Sequence, residues 1–361
     1  MRLMKSRSFF LIAFFCSAGF FLSAQTTFHD AARFPLLGKI TDSTETRYER
    51  LSASLRDTCR PRLWQLGKNT SGLALRFRSN TTQVSARWTL LEGVNLNHMT
   101  DTGVRGLDLY AWNGKTWQFV NTARPTAKEN RQVIISNMLP LEREYLLYLP
   151  LYDGLTDLQI GVDSTARIDL PALPLPAAGN PIVCYGTSIT QGGCATRAGM
   201  SYTNILMRRM NREFVNLGFS GNGKLDYEIA ELMAQRSDVA LFVLDFIPNV
   251  TLEQVKEKTA EFISILRRRH PDVPILLVES VLFTHMPFDE AMRKVVSEKN
   301  KALREEYEKL RRQGDRRLHY LPAGKLIGRD GEATVDGIHL TDLGFLRFAD
   351  ELESSLRRLL K

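Results

Sequence analysis

Ile182-Val183-Cys184-Tyr185-Gly186-Thr187-Ser188-Ile189-Thr190 is the stretch on which the reading of this chain turns. Ile182 to Tyr185 is a short apolar run that predicts a buried strand. The stretch from Ser201 to Arg212 predicts a helix, with Tyr202 to Arg212 as its body. Ser188 therefore sits on a turn from strand to helix, where its Oγ stands clear of the sheet. The backbone N–H groups of the opening helix point toward any oxyanion that forms there. Alone, a Gly-Thr-Ser turn is also what an ordinary helix cap looks like.

Downstream of this turn the apolar period alternates between strand and helix. Strands are predicted at Ile182–Tyr185, Phe214–Leu217, Val239–Asp245, Ile275–Val278 and, more weakly, His319–Leu321. Helices are predicted at Tyr227–Gln235, Leu252–Arg269, Phe288–Gln313 and Leu343–Leu360. Val255, Ala260, Ile263 and Leu266 fall close to one face of the Leu252–Arg269 helix, with Thr251 at its start. Alternating strand and helix units predict a parallel sheet covered on both faces, a three-layer α/β/α unit. Its ligand crevice would lie at the carboxyl ends of the strands.

Upstream the pattern changes. Between Leu73 and Val162 about seven short runs alternate apolar with polar, among them Val84–Leu90, Gly106–Ala111 and Tyr145–Leu149. Ser79-Asn80 and Asn113-Gly114 supply turn signals, and no convincing helix intervenes. This predicts an all-β, sandwich or jelly-roll-like unit. Residues 25 to about 65 are polar and mixed, with few periodic signals. A proline-rich joint, residues 170–181, reads as a semi-rigid linker. The expected organisation is thus residues 1–24 as an export signal, 25–176 as the β-rich domain and 177–361 as the α/β domain.

The export reading rests on Arg2, Lys5 and Arg7 ahead of an apolar run from Phe9 to Ala24 that ends Leu22-Ser23-Ala24. That run is shorter than the ~20 residues of a bilayer span and suits a signal peptide. Periplasmic or extracellular localisation, with no stable membrane insertion after cleavage, is the expectation; a retained N-terminal anchor is the alternative. The chain is basic, with a formal charge of +8. Its arginine clusters, such as Arg267-Arg268-Arg269 and Arg311-Arg312, fall at predicted helix ends, where they complement the helix dipole. No aromatic residues interleave with them, so a nucleic-acid partner is not expected. Cys59, Cys184 and Cys194 follow the signal. Cys184 and Cys194 flank the serine turn and could bridge or remain thiols. No metal-ligand spacing is present, and neither metal nor cofactor is expected.

Four features fall after predicted strands or in the last loop. A serine nucleophile needs a base, and Asp336-Gly337-Ile338-His339 provides a carboxylate three residues from an imidazole. The carboxylate can hold Nδ1–H and leave Nε2 free for the serine proton. Asn216 to Gly223 follows Phe214-Val215, and its glycines can let the backbone approach a ligand and aim an N–H inward, or form a plain turn. Asn249, after Val239–Asp245, can extend its side-chain N–H into the same place, or instead cap the helix that begins near Thr251.

Together these blocks resemble the SGNH/GDSL hydrolase superfamily. Ser188, Gly221, Asn249 and His339 match its four name residues in order and rough spacing, with Asp336 as the triad acid. Gly106-Leu107-Asp108-Leu109-Tyr110 is similar to the signature of the GxDLY β-domain that precedes some of these hydrolases. Two positions depart from the commonest pattern: Thr187 stands where Asp often precedes the serine, and Val250 stands where Asp often follows the asparagine. The resemblance implies a flavodoxin-like catalytic fold and a secreted esterase acting through Ser188, His339 and Asp336. The oxyanion hole would comprise Ser188, Gly221 and Asn249. The implied substrates are short-chain O-acyl esters, including those of carbohydrates. An acyltransferase using the same residues is the alternative, as is a glycan-binding protein with an inactive hydrolase domain. His98, just before the GxDLY signature, and His285, after Ile275–Val278, are candidate substrate contacts. His29, His270 and His319 are read as structural.

Overall fold

The computed structural model describes residues 25–174, 176–177 and 179–361. The expected export signal, residues 1–24, lies outside the described residues. Among those described, no helix is long and apolar enough to cross a membrane.

The C-terminal half is built on five parallel strands in the spatial order Phe214–Gly218, Ile182–Gly186, Leu241–Asp245, Ile275–Val278 and Leu318–Leu321. This is the flavodoxin-like order expected. The strands are apolar throughout because both faces are covered. Ile182, Cys184, Leu241 and Val243 face one way, against the helices Tyr202–Met210 and Asp342–Leu359. Val183, Tyr185, Phe242 and Leu244 face the other, against Tyr227–Gln235, Leu252–Arg269 and Glu290–Arg312. On Leu252–Arg269 the buried residues are Val255, Thr259, Phe262, Ile263, Ile265 and Leu266. Ala260 is only half-buried, and Thr259 takes its expected place because its hydroxyl donates to the Val255 carbonyl.

Strand register decides where the site lies. Gly186 pairs with Gly218 on one side and with Asp245 on the other. The segments that leave these three adjacent strands therefore start from one line across the sheet.

The N-terminal half contains two antiparallel sheets. One joins Thr26–Asp30, Leu155–Asp163, Val84–Leu90 and Glu129–Ile135. The other joins Ile168–Asp169, Ala74–Ser79, Arg143–Tyr148, Leu107–Trp112 and Trp117–Ala123, with Leu36–Leu37 beside Ala74–Ser79. Phe77, Trp88, Leu147 and Ile160 are among the side chains buried between them. The second sheet is also covered on its outer face. Alternate residues of Arg143–Tyr148 part company: Tyr145 and Leu147 enter the sandwich core, whereas Leu146 and Tyr148 pack with Tyr202 and Met207 of the α/β half.

Three stretches hold structure that periodicity did not announce. Thr26–Asp30 is an edge strand, paired through its backbone to Leu155–Asp163, so its side chains need not alternate. Pro61–Gly67 is a short helix with Pro at its first position. Its Leu63 and Leu66, together with Ile40 and Leu51, pack on the Val183 and Tyr185 face of the parallel sheet. A second short helix, Asp101–Val104, lies within the otherwise all-β stretch between Leu73 and Val162.

Candidate active site

Ser188 opens a four-residue helical turn directly after the strand Ile182–Gly186. The cap of that turn is Thr187, whose hydroxyl accepts from the Ile189 N–H in a reciprocal arrangement with Thr190. Thr187 thus provides the capping oxygen that an Asp would otherwise supply. The Ser188 side chain is released from that duty. Gly186 is required sterically: a Cβ there would lie 2.0 Å from Thr190 Oγ1 and 2.6 Å from the Asp245 carbonyl oxygen.

Ser188 is 7% exposed, and its Oγ lies 3.0 Å from His339 Nε2. His339 Nδ1 lies 2.7 Å from Asp336 Oδ2. The other carboxylate oxygen accepts from the backbone N–H groups of Ile338 and His339 at 3.0 and 2.8 Å. Burial alone would raise the Asp336 pKa. The hydrogen bonds from the His339 ring and from these two N–H groups outweigh it and hold the carboxyl down at about 2. Asp336 is therefore an ionised acceptor at neutral pH, which fixes the imidazole with Nε2 toward Ser188.

Gly221 has a φ of +66°, and a Cβ at this position would meet open space. Neither the Ser188 N–H nor the Gly221 N–H has an acceptor among the described residues. Ser188 is buried, where backbone donors are ordinarily paired, and Gly221 is exposed, so both N–H groups are free to receive an anion. Asn249 ends the turn Ile247–Asn249, and Thr251, not Asn249, caps the following helix. Asn249 Oδ1 accepts from the Gly223 N–H at 3.2 Å, which leaves its Nδ2 as a donor.

His98 and His285 come to different places. The His98 ring centroid lies 5.5 Å from that of His339, so the sandwich half delivers a side chain to the His339 imidazole. His285 Nδ1 lies 3.2 Å from the Gly337 carbonyl, and the Thr284 N–H donates to the same oxygen at 3.1 Å. His285 braces the turn between Asp336 and His339. Cys59, Cys184 and Cys194 are free and buried, so the Cys184–Cys194 bridge that the sequence left open does not form. Burial, with Asp336 nearby, pushes the Cys194 thiol up to about 12.

Several supporting residues escaped the sequence reading. Buried Asp153 accepts from the backbone N–H groups of Glu92, Gly93 and Val94 at 2.8–3.0 Å and so shapes the segment that carries His98. Tyr152 donates its hydroxyl to the Ser188 carbonyl at 3.3 Å. Gln191 accepts from the Ser220 N–H and donates to Asn69 and Leu151. Arg50 is 1% exposed and donates to the carbonyls of Asn216, Gly218, Leu66 and Asn69 at 2.7–3.0 Å. It ties the end of the Phe214–Gly218 strand, and so the loop bearing Gly221, to the N-terminal half. None carries a motif signal except Gln191, which continues the quoted turn. Asp108 was visible as a letter of the GxDLY signature but not as a contact. Its carboxylate accepts from the Arg197 guanidinium at 2.7 Å and the Gly199 N–H at 2.8 Å, and the Tyr110 hydroxyl also meets Arg197.

Comparison with known proteins agrees with this geometry. Residues 179–357 match the model of the GDSL-like lipase/acylhydrolase family, and residues 26–168 match the GxDLY N-terminus of the SGNH-hydrolase esterase type. A crystal structure from Bacteroides ovatus, assigned as a GDSL-like lipase, is 35% identical, with a TM-score of 0.89 over 93% of this chain and 98% of that one. The chain belongs to the GDSL-like lipase/acylhydrolase family. This family member also shares its fold with two more distant structures. The salicylyl-acyltransferase SsfX3 of a tetracycline biosynthetic pathway is 18% identical, with a TM-score of 0.75 over 92% of this chain and 97% of that one. A family two carbohydrate esterase from Cellvibrio japonicus is 15% identical, with a TM-score of 0.58 over 93% and 98%. No curated protein matches the sequence. The GDSL-like assignment makes the chain an ester-cleaving hydrolase, as the sequence reading expects.

Proposed function

We propose that this hydrolase is an exported serine esterase that removes short acyl groups, acetyl above all, from carbohydrate hydroxyls. The observation that carries the catalytic part is the continuous line Ser188 Oγ to His339 Nε2 to Asp336 Oδ2, at 3.0 and 2.7 Å. His339 takes the serine proton as Oγ attacks the ester carbonyl. Asp336 keeps Nδ1 protonated and stabilises the imidazolium. The tetrahedral oxyanion is met by the N–H groups of Ser188 and Gly221 and by Asn249 Nδ2, each such donor contributing roughly 3 kcal/mol in the transition state. His339 then returns its proton to the departing alcohol. An acyl-Ser188 remains, and water, activated by the same imidazole, releases the acid.

The preference for a hydroxylated alcohol rests on what surrounds the serine. A cavity of about 290 Å³ that shares Tyr152 with the site has mixed walls, with Arg62, Lys68 and Glu92 beside Leu66, Leu91 and Val94. Its charged and amide side chains can hydrogen-bond sugar hydroxyls, and its apolar ones can pack on a ring face. His98 stands beside His339 from the sandwich half and is assigned as a substrate contact. The fold shared with a carbohydrate esterase and the N-terminal export signal fit the same picture.

The test is a panel of acetylated polysaccharides and p-nitrophenyl esters of increasing chain length. Expected are a preference for acetyl and complete loss of turnover and of fluorophosphonate labelling in Ser188→Ala. Turnover surviving in that variant would overturn the catalytic assignment. The fold shared with an acyltransferase makes transfer the second reading. Product analysis with an added alcohol separates the two, because a transferase yields the new ester rather than free acid.

A further inference from the structure

We propose that His98, Cys194 and His339 form a binding site for a thiophilic divalent cation, zinc foremost, whose occupancy switches the esterase off. One ligand atom from each of the three lies within 4.8 Å of the other two. Zinc takes imidazole nitrogen at ~2.0 Å and thiolate sulfur at ~2.3 Å, so tetrahedral ligands stand roughly 3.5 Å apart. Closing from 4.8 Å asks about an ångström of movement. His98 is placed to provide it, since it lies in an irregular segment between Leu90 and Asp101.

Three further observations favour a metal over a coincidence of side chains. Both imidazoles carry the outer partner that metal-binding histidines use. His339 Nδ1 faces Asp336, and His98 Nδ1 lies 3.1 Å from Asn97 Oδ1, which turns each Nε2 toward a ligand role. The donor set, two imidazoles and one thiolate, is made of ligand types that zinc takes. Cys194 is also held at φ +71°, a left-handed backbone that costs a residue with a Cβ on the order of 1 kcal/mol. Glycine would sit there freely, yet a cysteine occupies the position and is 4% exposed.

Binding displaces the thiol proton to solvent, and the metal takes the His339 lone pair. The fourth position falls to water or to Ser188 Oγ, which lies 3.0 Å from His339 Nε2. An imidazole bound to zinc cannot accept the serine proton, so binding and catalysis exclude each other. The site needs both halves of the chain, because His98 comes from the sandwich half. The inhibitory consequence rests on the esterase reading; the binding itself does not.

The test uses the mature chain. Cobalt(II) titration is expected to give one equivalent with a near-ultraviolet thiolate-to-metal charge-transfer band, displaced by zinc. Zinc is expected to inhibit p-nitrophenyl acetate hydrolysis, with full recovery on chelation. In Cys194→Ala the band disappears, and half-inhibition needs at least about tenfold more zinc. Cys194→Gly, which suits the left-handed backbone, repeats the measurement if the alanine variant does not fold. A wild-type chain without the thiolate band, or a Cys194 variant equally sensitive to zinc, overturns the proposal. A cobalt band in a chain that cleaves no ester supports the site and removes the esterase reading instead.

Discussion

The Asp108 carboxylate lies 2.7 Å from the Arg197 guanidinium, and this pair fastens the sandwich half to the loop that follows the Ser188 turn. Asp108 is fully buried and also accepts from the Gly199 N–H and the Thr122 hydroxyl. The GxDLY signature is therefore a docking device. Leu107 and Leu109 fill the sandwich core, while Asp108 and Tyr110 turn toward Arg197. Asp108→Asn puts an amide N–H against a cation and a backbone donor. Expected is a loss of roughly 2–3 kcal/mol in urea unfolding. A fall in kcat/KM of about tenfold should accompany it, as the loop from Ala195 to Met200 shifts. Unchanged unfolding would show that the pair does not hold the halves together.

Arg50 works at the opposite end of the same junction. Removing its side chain in Arg50→Met leaves four buried carbonyls without their donor, two of them at the end of the Phe214–Gly218 strand. The expected cost is about 3 kcal/mol, read from denaturant unfolding. Lower kcat is also expected, since Gly221 lies just beyond that strand.

Asn249→Ala tests the oxyanion assignment. The variant should lose kcat by about two to three orders of magnitude with little change in KM, because the amide acts on charge that develops only in the transition state. A change confined to KM would assign Asn249 to ground-state binding instead.

Asp245 predicts a pH dependence of stability. Burial lifts its carboxyl to about 7, against the pull of the Thr190 hydroxyl hydrogen bond. The folded state thus keeps this proton over a range in which the unfolded chain has released it. The contribution is fully present below about pH 4. It is lost as pH rises toward about 7. Asp245→Asn keeps the shape of the protonated acid and abolishes the dependence. Thermal melts should show wild type falling relative to the variant by a few degrees between about pH 5 and pH 8. Parallel curves for the two proteins would contradict this.

Most of the α/β half was legible because its elements are long and strongly periodic. Tyr227–Gln235 and Leu252–Arg269 fall where the sequence predicts them, and the five strands shift by no more than a residue or two. The short helices Pro61–Gly67 and Asp101–Val104 were not legible. Each is stabilised by docking on other parts of the chain, which no local pattern records. His285 was placed in the right neighbourhood from its position after a strand. Its contact with the Gly337 carbonyl depends on how two distant loops meet.

By itself, the sequence determined the class of fold, the order of the strands and helices, and the residue types that serine chemistry needs. These follow from local periodicity and from side-chain chemistry, both properties of a linear string. Only the tertiary structure decided that Thr187 takes the capping role, that Asn249 is free of it, and that His98 and Cys194 converge on His339. The physical reason is register. The alignment of Gly186 with Gly218 and Asp245 brings segments dozens of residues apart to one edge of the sheet. Arg50 and Asp108 then hold the sandwich against that edge, and Asp153 shapes the segment that carries His98, through buried hydrogen bonds that no spacing in the sequence encodes.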